Sequence, residues 1–278
     1  LSTLPRHYAS AQTSIARELK ESCLDIADSF KASRIWIALG LNDIAARYRG
    51  SILGPFWITL TTSVFVLGIG FLYAGLMKVS TDRYLPWMTM GVVIWSLISQ
   101  TVLEGGDSFI AAATVLRQTA IPLPLFVWRV IWRNVLTFLH QMPVLIGVGV
   151  WFGFVWKMDF LHAALGLCLI VLNTSWAALA CAIACARFRD VQQILASVTQ
   201  LVFFLSPVLW IPSDVRGYGG QLIKLNPVVH MLNVFRGPLL GQGFSESSAL
   251  FLVATAVGGW ALTLLLFSRV RRRIVHYV

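Results

Sequence analysis

The chain has 278 residues, 57% of them hydrophobic and 12% charged, with eleven Trp and a formal charge of +10 at pH 7; its mean hydropathy is +0.75. Those proportions exclude an ordinary soluble globular domain. The basic excess forms no stripe on a soluble domain either, so nucleic acid is not the partner it points to.

Taken in order, residues 1 to 29 are charged and mixed and suit a peripheral helix or a partly disordered lead. Phe30, Ile35, Trp36, Ile37, Leu39 and Leu41 then alternate imperfectly with Lys31, Arg34, Asn42 and Asp43, as in an amphipathic helix lying in the headgroup plane. Asp43 and Arg47 stand four apart with the acid first, the better orientation for a helical ion pair. Gly50 and Gly54-Pro55 follow, where the chain can turn from lying on a membrane to crossing it. Residues 1–50 thus form a cytoplasmic N-terminal segment. The long polar lead before the first apolar run argues against a cleavable signal.

Residues 51–278 read as one all-α integral membrane domain. Apolar runs long enough to cross about 30 Å of hydrocarbon occur at 52–77, 84–104, 124–155, 162–186, 191–210 and 249–268. Solid runs such as "ALGLCLIVLNTSWAALACAIACA" predict six helices rather than the alternating strands of a barrel. With the N-terminus inside, most Lys and Arg fall on the same side: seven in residues 1–50, then Arg117, Arg129 and Arg133, then Arg187 and Arg189, then Arg269 and Arg271 to Arg273. The positive-inside rule therefore places both termini in the cytoplasm, and the excess charge near anionic lipid headgroups.

Between the second and third runs, "EGGDSFIAAATVLRQTAIPLP" predicts a short helix over about 107–117, with glycines before it and prolines after it. On the third run, Arg129, Arg133 and His140 share a face, with Glu104 as an ion partner for Arg133. Such an arginine face, with Arg47 and Arg49 beside it, either meets a lipid pyrophosphate through guanidinium forks or merely bridges helices. His140 reads as a hydrogen-bonded core residue. Asn173, Thr174 and Ser175 on the fourth run, and Ser197, Gln200 and Ser206 on the fifth, read first as helix-joining groups, with a channel lining as the alternative. Tyr73, Trp95, Trp176, Ser197 and Gln200 are the candidates for a wet lining on which sugar faces stack and hydroxyls find partners. Residues 211–248 are too apolar for a free loop and too interrupted to span, which predicts two short re-entrant helices. Within them Arg236 meets a carbonyl or an acid such as Asp214, or is a plain surface arginine. Cys23, Cys168, Cys181 and Cys185 have no metal spacing beyond one C-x-x-x-C on an apolar face, so neither metal nor disulfide is expected.

Four stretches carry a resemblance. "DIAARYRGSILGPFW" before the first span, "ARFRDV" at 186–191, "FFLSPVLW" at 203–210 and "LNPVVHMLNVFRGPLLG" at 225–241 resemble, in order, the ABC-2 type exporter permeases, in particular the polysaccharide-export branch that moves O-antigen, capsule or teichoic acid chains. The resemblance runs from about residue 30 to the C-terminus. It implies a bacterial inner-membrane permease that pairs with a second copy around a channel, each copy docking one ABC ATPase subunit. The 278 residues contain no G-x-x-x-x-G-K-[ST] loop, so ATP and Mg would be used by the partner and no cofactor bound by this chain.

Under the resemblance, the 107–117 helix, with Asp107, Ser108, Phe109, Val115, Leu116 and Arg117, is the ATPase-coupling helix. Asn226, Pro227 and Arg236 belong to the periplasmic gate. The expected cargo is an undecaprenyl-linked polysaccharide, O-antigen first. A drug or small-lipid exporter competes within the class, and a non-transporting scaffold outside it. No grouping of acids or of Ser, His and Asp supports an enzyme.

Overall fold

The computed structural model describes residues 15–119, 121–212 and 223–278. Helices account for the fold, and no strand occurs among the described residues. The elements are α1 (Ile15–Lys31), α2 (Ser33–Arg47), α3 (Phe56–Leu76), α4 (Thr81–Ala111), α5 (Ala113–Gln118), α6 (Pro124–Trp151), α7 (Phe160–Arg187), α8 (Val191–Leu205), α9 (Pro227–Leu239) and α10 (Glu246–Tyr277).

Among the described residues, five helices are long and apolar enough to cross a membrane: α3, α4 with its continuation through α5, α6, α7 and α10. The sixth expected span is shorter. Helix α8 has 15 residues, about 22 Å at 1.5 Å per residue, and stops at Leu205 rather than at residue 210. Pro207 explains the stop, because a residue before proline is pushed out of the helical region; Ser206 is extended, with ψ at 145°. Of the region read as re-entrant, the structure gives α9 and a helical turn at 223–225. Residues 213–222, and Asp214 with them, lie outside the described residues.

A second difference concerns α4. The pair Gly105-Gly106, read as a helix break, sits inside an unbroken helix that runs on to Ala111. The glycines serve packing: a Cβ at Gly105 would lie 2.6 Å from Ala178 Cβ of α7, and one at Gly106 would lie 2.9 Å from Gln192 Oε1 of α8. Small residues that let backbones approach are a usual device of membrane helix pairs. The chain bends later, at Ala112, so the expected 107–117 helix is divided between the last turns of α4 and the six residues of α5.

Helix α4 forms the centre of the bundle, buried along most of its length between α6 and α7. Helix α10 packs on α7. Helix α3 keeps Val64, Phe65, Leu67, Phe71, Leu72 and Leu76 on the outside, and α8 buries no residue at all. The turn between α2 and α3 uses left-handed glycines, Gly50 at φ +80° and Gly54 at φ +55°, which only glycine adopts without strain. That turn lets α2 lie across the end of the bundle while α3 enters it.

Candidate functional site

The basic end of the bundle, where α1, α2 and α5 gather, carries the densest set of polar contacts. Helix α2 comes close to α6 at Gly40, where a Cβ would lie 2.8 Å from a Trp132 ring carbon and 3.3 Å from the Arg129 carbonyl. Trp36 meets the same Trp132 edge-on at 6.2 Å. This contact sets Asp43, three residues on, against two arginines of α6. Arg129 donates to it from Nε at 2.8 Å and from Nη2 at 2.5 Å, and Arg133 donates from Nη1 at 3.0 Å.

Arg133 also donates to Glu104 of α4 at 2.8 Å, and Arg47 stands 3.6 Å from the other oxygen of Glu104. The expected Glu104–Arg133 pair is therefore present. The expected Asp43–Arg47 pair is not: each takes a partner on another helix, because α2 lies against α6 and turns its acid inward. Burial pushes the Asp43 carboxyl up, but the hydrogen bonds and charge of Arg129, and then of Arg133, outweigh it and hold the group below its ordinary value. Arg49 is exposed and makes no ion pair among the described residues.

Below the cluster lies a cavity of about 380 Å³ whose walls include Glu104, Asp107, Ser108, Arg129, Arg133 and Gln192. Gln192 donates to the Leu103 carbonyl at 3.0 Å, pinning the start of α8 to α4. Asp107 and Ser108, expected on a coupling helix, thus border the same space as the arginines expected at an entrance. The buried Ser108 Oγ and Arg133 Nε have no hydrogen-bond partner among the described residues.

The residues expected to dock a partner divide by burial. Phe109, Ser108 and Leu116 are inside, at 0%, 4% and 5% exposure, whereas Val115 is 42% exposed. Arg117 turns toward α10, donating from Nε and Nη2 to the main-chain oxygen of Val278, the first at 3.1 Å. The exposed residues of α5 are Thr114, Val115 and Gln118, together with Arg117 itself. Next to it, Arg271 of α10 binds Glu21 and Asp25 of α1, with Glu21 at 2.7 Å, and Trp128 donates to Ser29 at 2.8 Å. Nothing in the spacing of these residues signalled that α1 is strapped to α10 and α6, because the partners are some 250 and 100 positions apart.

The lining candidates separate into two places. Trp95 of α4 packs on Phe203 of α8 at 5.5 Å, and Ser197 and Gln200 are exposed on α8. Tyr73 is half-buried on α3 and packs against the cluster around Tyr84 and Met88. Trp176 is elsewhere: it fills the space at Gly259, where a Cβ would lie 2.2 Å from the indole, and so joins α7 to α10. Asn173 bonds the Leu252 carbonyl at 3.0 Å and receives Thr255 at 2.9 Å. Asn173 thus has the helix-joining role first expected for the polar middle of α7, whereas Thr174 and Ser175 bond back to the Ile170 and Leu172 carbonyls of their own helix. His140 contacts its own Leu136 carbonyl at 2.7 Å.

At the opposite end, Asn226 caps α9, accepting from Val228 N–H at 2.9 Å, and Pro227 takes the first helical position. Pro is pre-shaped for that place. Arg236 is not a surface residue. It is 2% exposed, and both terminal nitrogens donate to the Pro207 carbonyl at 3.1 Å. Of its two expected kinds of partner, the structure shows the carbonyl.

Comparison with known proteins gives a consistent picture. The family profile described as ABC-2 type transporter matches residues 35–240. The chain is 22% identical over 251 residues to the O-antigen export system permease protein RfbA of Myxococcus xanthus, covering 88% of this chain and 95% of that one. A permease of the same description from Klebsiella pneumoniae is 21% identical, covering 84% and 91%, and another from that organism is 23% identical, covering 70% and 76%.

Proposed function

Because this chain belongs to the ABC-2 type transporter family, as a multi-pass membrane permease rather than an enzyme by itself, we propose that it is the transmembrane subunit of an ATP-driven polysaccharide exporter. Its cargo in this reading is an undecaprenyl-linked glycan, O-antigen first, carried from the cytoplasm to the periplasm across the inner membrane. The observation that carries the reading is the near end-to-end correspondence with a permease whose name is O-antigen export, 88% of one chain against 95% of the other.

Two copies of this chain and two ATPase subunits form the working unit. The bare faces of α3 and α8 support a second copy, since apolar faces of that extent pack on either lipid or protein. The passage lies between copies, with Trp95, Ser197, Gln200 and Tyr73 along it and Trp176 outside it. ATPase closure enters through Thr114, Val115 and Gln118 of α5 and passes into α4, which runs without a break to the opposite end of the bundle.

The basic end faces the cytoplasm. There the lipid pyrophosphate meets the exposed Arg47 and Arg49, while Arg129 and Arg133, already bonded to Asp43 and Glu104, hold α2 in place beside them. A guanidinium suits phosphate because its fork matches two oxygens at once.

The test is the location of lipid-linked glycan in cells lacking the gene, by fractionation and glycan staining. Polymer held on the cytoplasmic side and restored to the surface by the intact chain is the expected result. Normal surface glycan would overturn the cargo assignment and leave the family membership standing.

A further inference from the structure

The chain between α8 and residue 212 is not helical, so its carbonyls lack helical partners. A helix end that is buried needs acceptors and donors from elsewhere. Here side chains of two other helices supply them. Arg236 of α9 donates twice to the Pro207 carbonyl, both at 3.1 Å. Tyr84 of α4 donates its hydroxyl to the Leu209 carbonyl at 2.5 Å, and Trp87, three residues further along α4, donates its indole N–H to the Trp210 carbonyl at 3.2 Å.

The arginine is fixed on a second side. Its guanidinium lies over the Trp87 ring, 3.7 Å from the centroid, a cation–π contact that strengthens when water is excluded. One turn on from Trp87, Gly91 leaves the space the guanidinium occupies: a Cβ there would come 2.4 Å from Arg236 Nη2 and 2.7 Å from the Val208 carbonyl. Asn226, which caps α9, also donates to Ser206 Oγ at 2.9 Å. So the segment after α8 is gripped from α4 and from both ends of α9, while the body of α8 buries no residue.

We propose that Arg236 is the positioning residue of this seam: it locks the end of α8, helix α9 and the first turns of α4 into one block, so that α8 cannot tilt without carrying α9. In the exporter, and resting on the reading of α8 as passage-lining, this makes the lining helix and the far-end helix α9 move together. Lysine's ammonium has donors enough for the carbonyl, but it is a point charge without the planar fork that lies flat on Trp87 while two separate nitrogens donate to Pro207, so the role calls for a guanidinium.

Hydrogen–deuterium exchange of the reconstituted full chain tests the lock without reference to cargo. Arg236→Met is expected to raise exchange of residues 203–212 and of α9 together, by about ten- to a hundredfold, since a buried carbonyl loses its donors. Helices α6 and α7 are expected to keep their protection, and Arg236→Lys to fall between Met and the natural residue. Gly91→Ala keeps the arginine but fills its place, so it should give the same local pattern, and it stands in if Arg236→Met does not accumulate. Unchanged exchange of residues 203–212 in both variants, or an equal rise in every helix, would overturn the proposal. Failure of the export reading would show in glycan location, not in these exchange rates.

Discussion

Asp43 and Arg129 form a two-pronged ion pair, 2.8 and 2.5 Å, that fastens the helix lying across the bundle end to the third long span. Arg133 shares the same carboxylate and carries the link on to Glu104. The group is partly buried, with Asp43 and Arg133 each 16% exposed, so its loss is felt more than that of a surface pair. Asp43→Ala is expected to cost about 1.5–3 kcal/mol, the range for hydrogen bonds to charged groups. It should lower the thermal midpoint in detergent and open the turn at 48–55 to protease. An unchanged midpoint and cleavage pattern would show that α2 is held by packing at Gly40 and Trp36 alone.

The same pair fixes a pH dependence. The Asp43 carboxyl is held below its ordinary value, so its contribution is fully present above the unfolded value of about 3.9 and is lost as pH falls through the lower folded value. Acid should therefore release α2, seen as a loss of backbone protection in residues 33–47 relative to the intrinsic exchange rate at each pH. In Asp43→Asn the protection of this segment should depend less on pH. Identical pH curves for the two proteins would place the acid response elsewhere.

On α5 two neighbouring residues should fail in different ways. Leu116 is buried among Phe109, Ala112 and Leu123, so Leu116→Asp puts an unpaired charge into the core and should reduce yield and monodispersity. Val115 is 42% exposed, and Val115→Asp should leave the fold intact while lowering co-purification with the ATPase partner several-fold. Retained association in a well-folded Val115→Asp protein would move the docking face away from α5.

Glycines separate packing from permissiveness. Gly105→Ala would bring a methyl to within 2.6 Å of Ala178 Cβ, and overpacking of that kind costs about 1–3 kcal/mol. Gly75 of α3 has nothing within 4 Å of a Cβ, so Gly75→Ala should be neutral or stabilise by up to about 1 kcal/mol. Thermal midpoints of the two variants, measured side by side, check the contrast; equal values would mean that α4 and α7 are looser than described.

Much of the architecture was legible from composition and pattern. The all-helical membrane fold, the places of α3, α4, α6, α7 and α10, and the turn at Gly50 and Gly54 follow from local rules: the length of chain needed to cross hydrocarbon, and the backbone freedom of glycine. One long-range pair, Glu104 with Arg133, was also legible, because few acids lie inside apolar runs. What tertiary structure decided is the choice of partners. A local four-residue spacing assigned Asp43 to Arg47, but two guanidiniums brought alongside by the Gly40 contact outcompete one flexible neighbour. Gly105-Gly106 resembles a break in one dimension and is a close contact in three. For Arg236 a carbonyl was one of the expected partners, but that it is the carbonyl of Pro207, and that the guanidinium lies on Trp87 of another helix, had no signal in the sequence. Spans are written in the hydrophobicity of consecutive residues; ion pairs, glycine contacts and the α8 seam depend on which helices lie side by side, and only the folded bundle determines that.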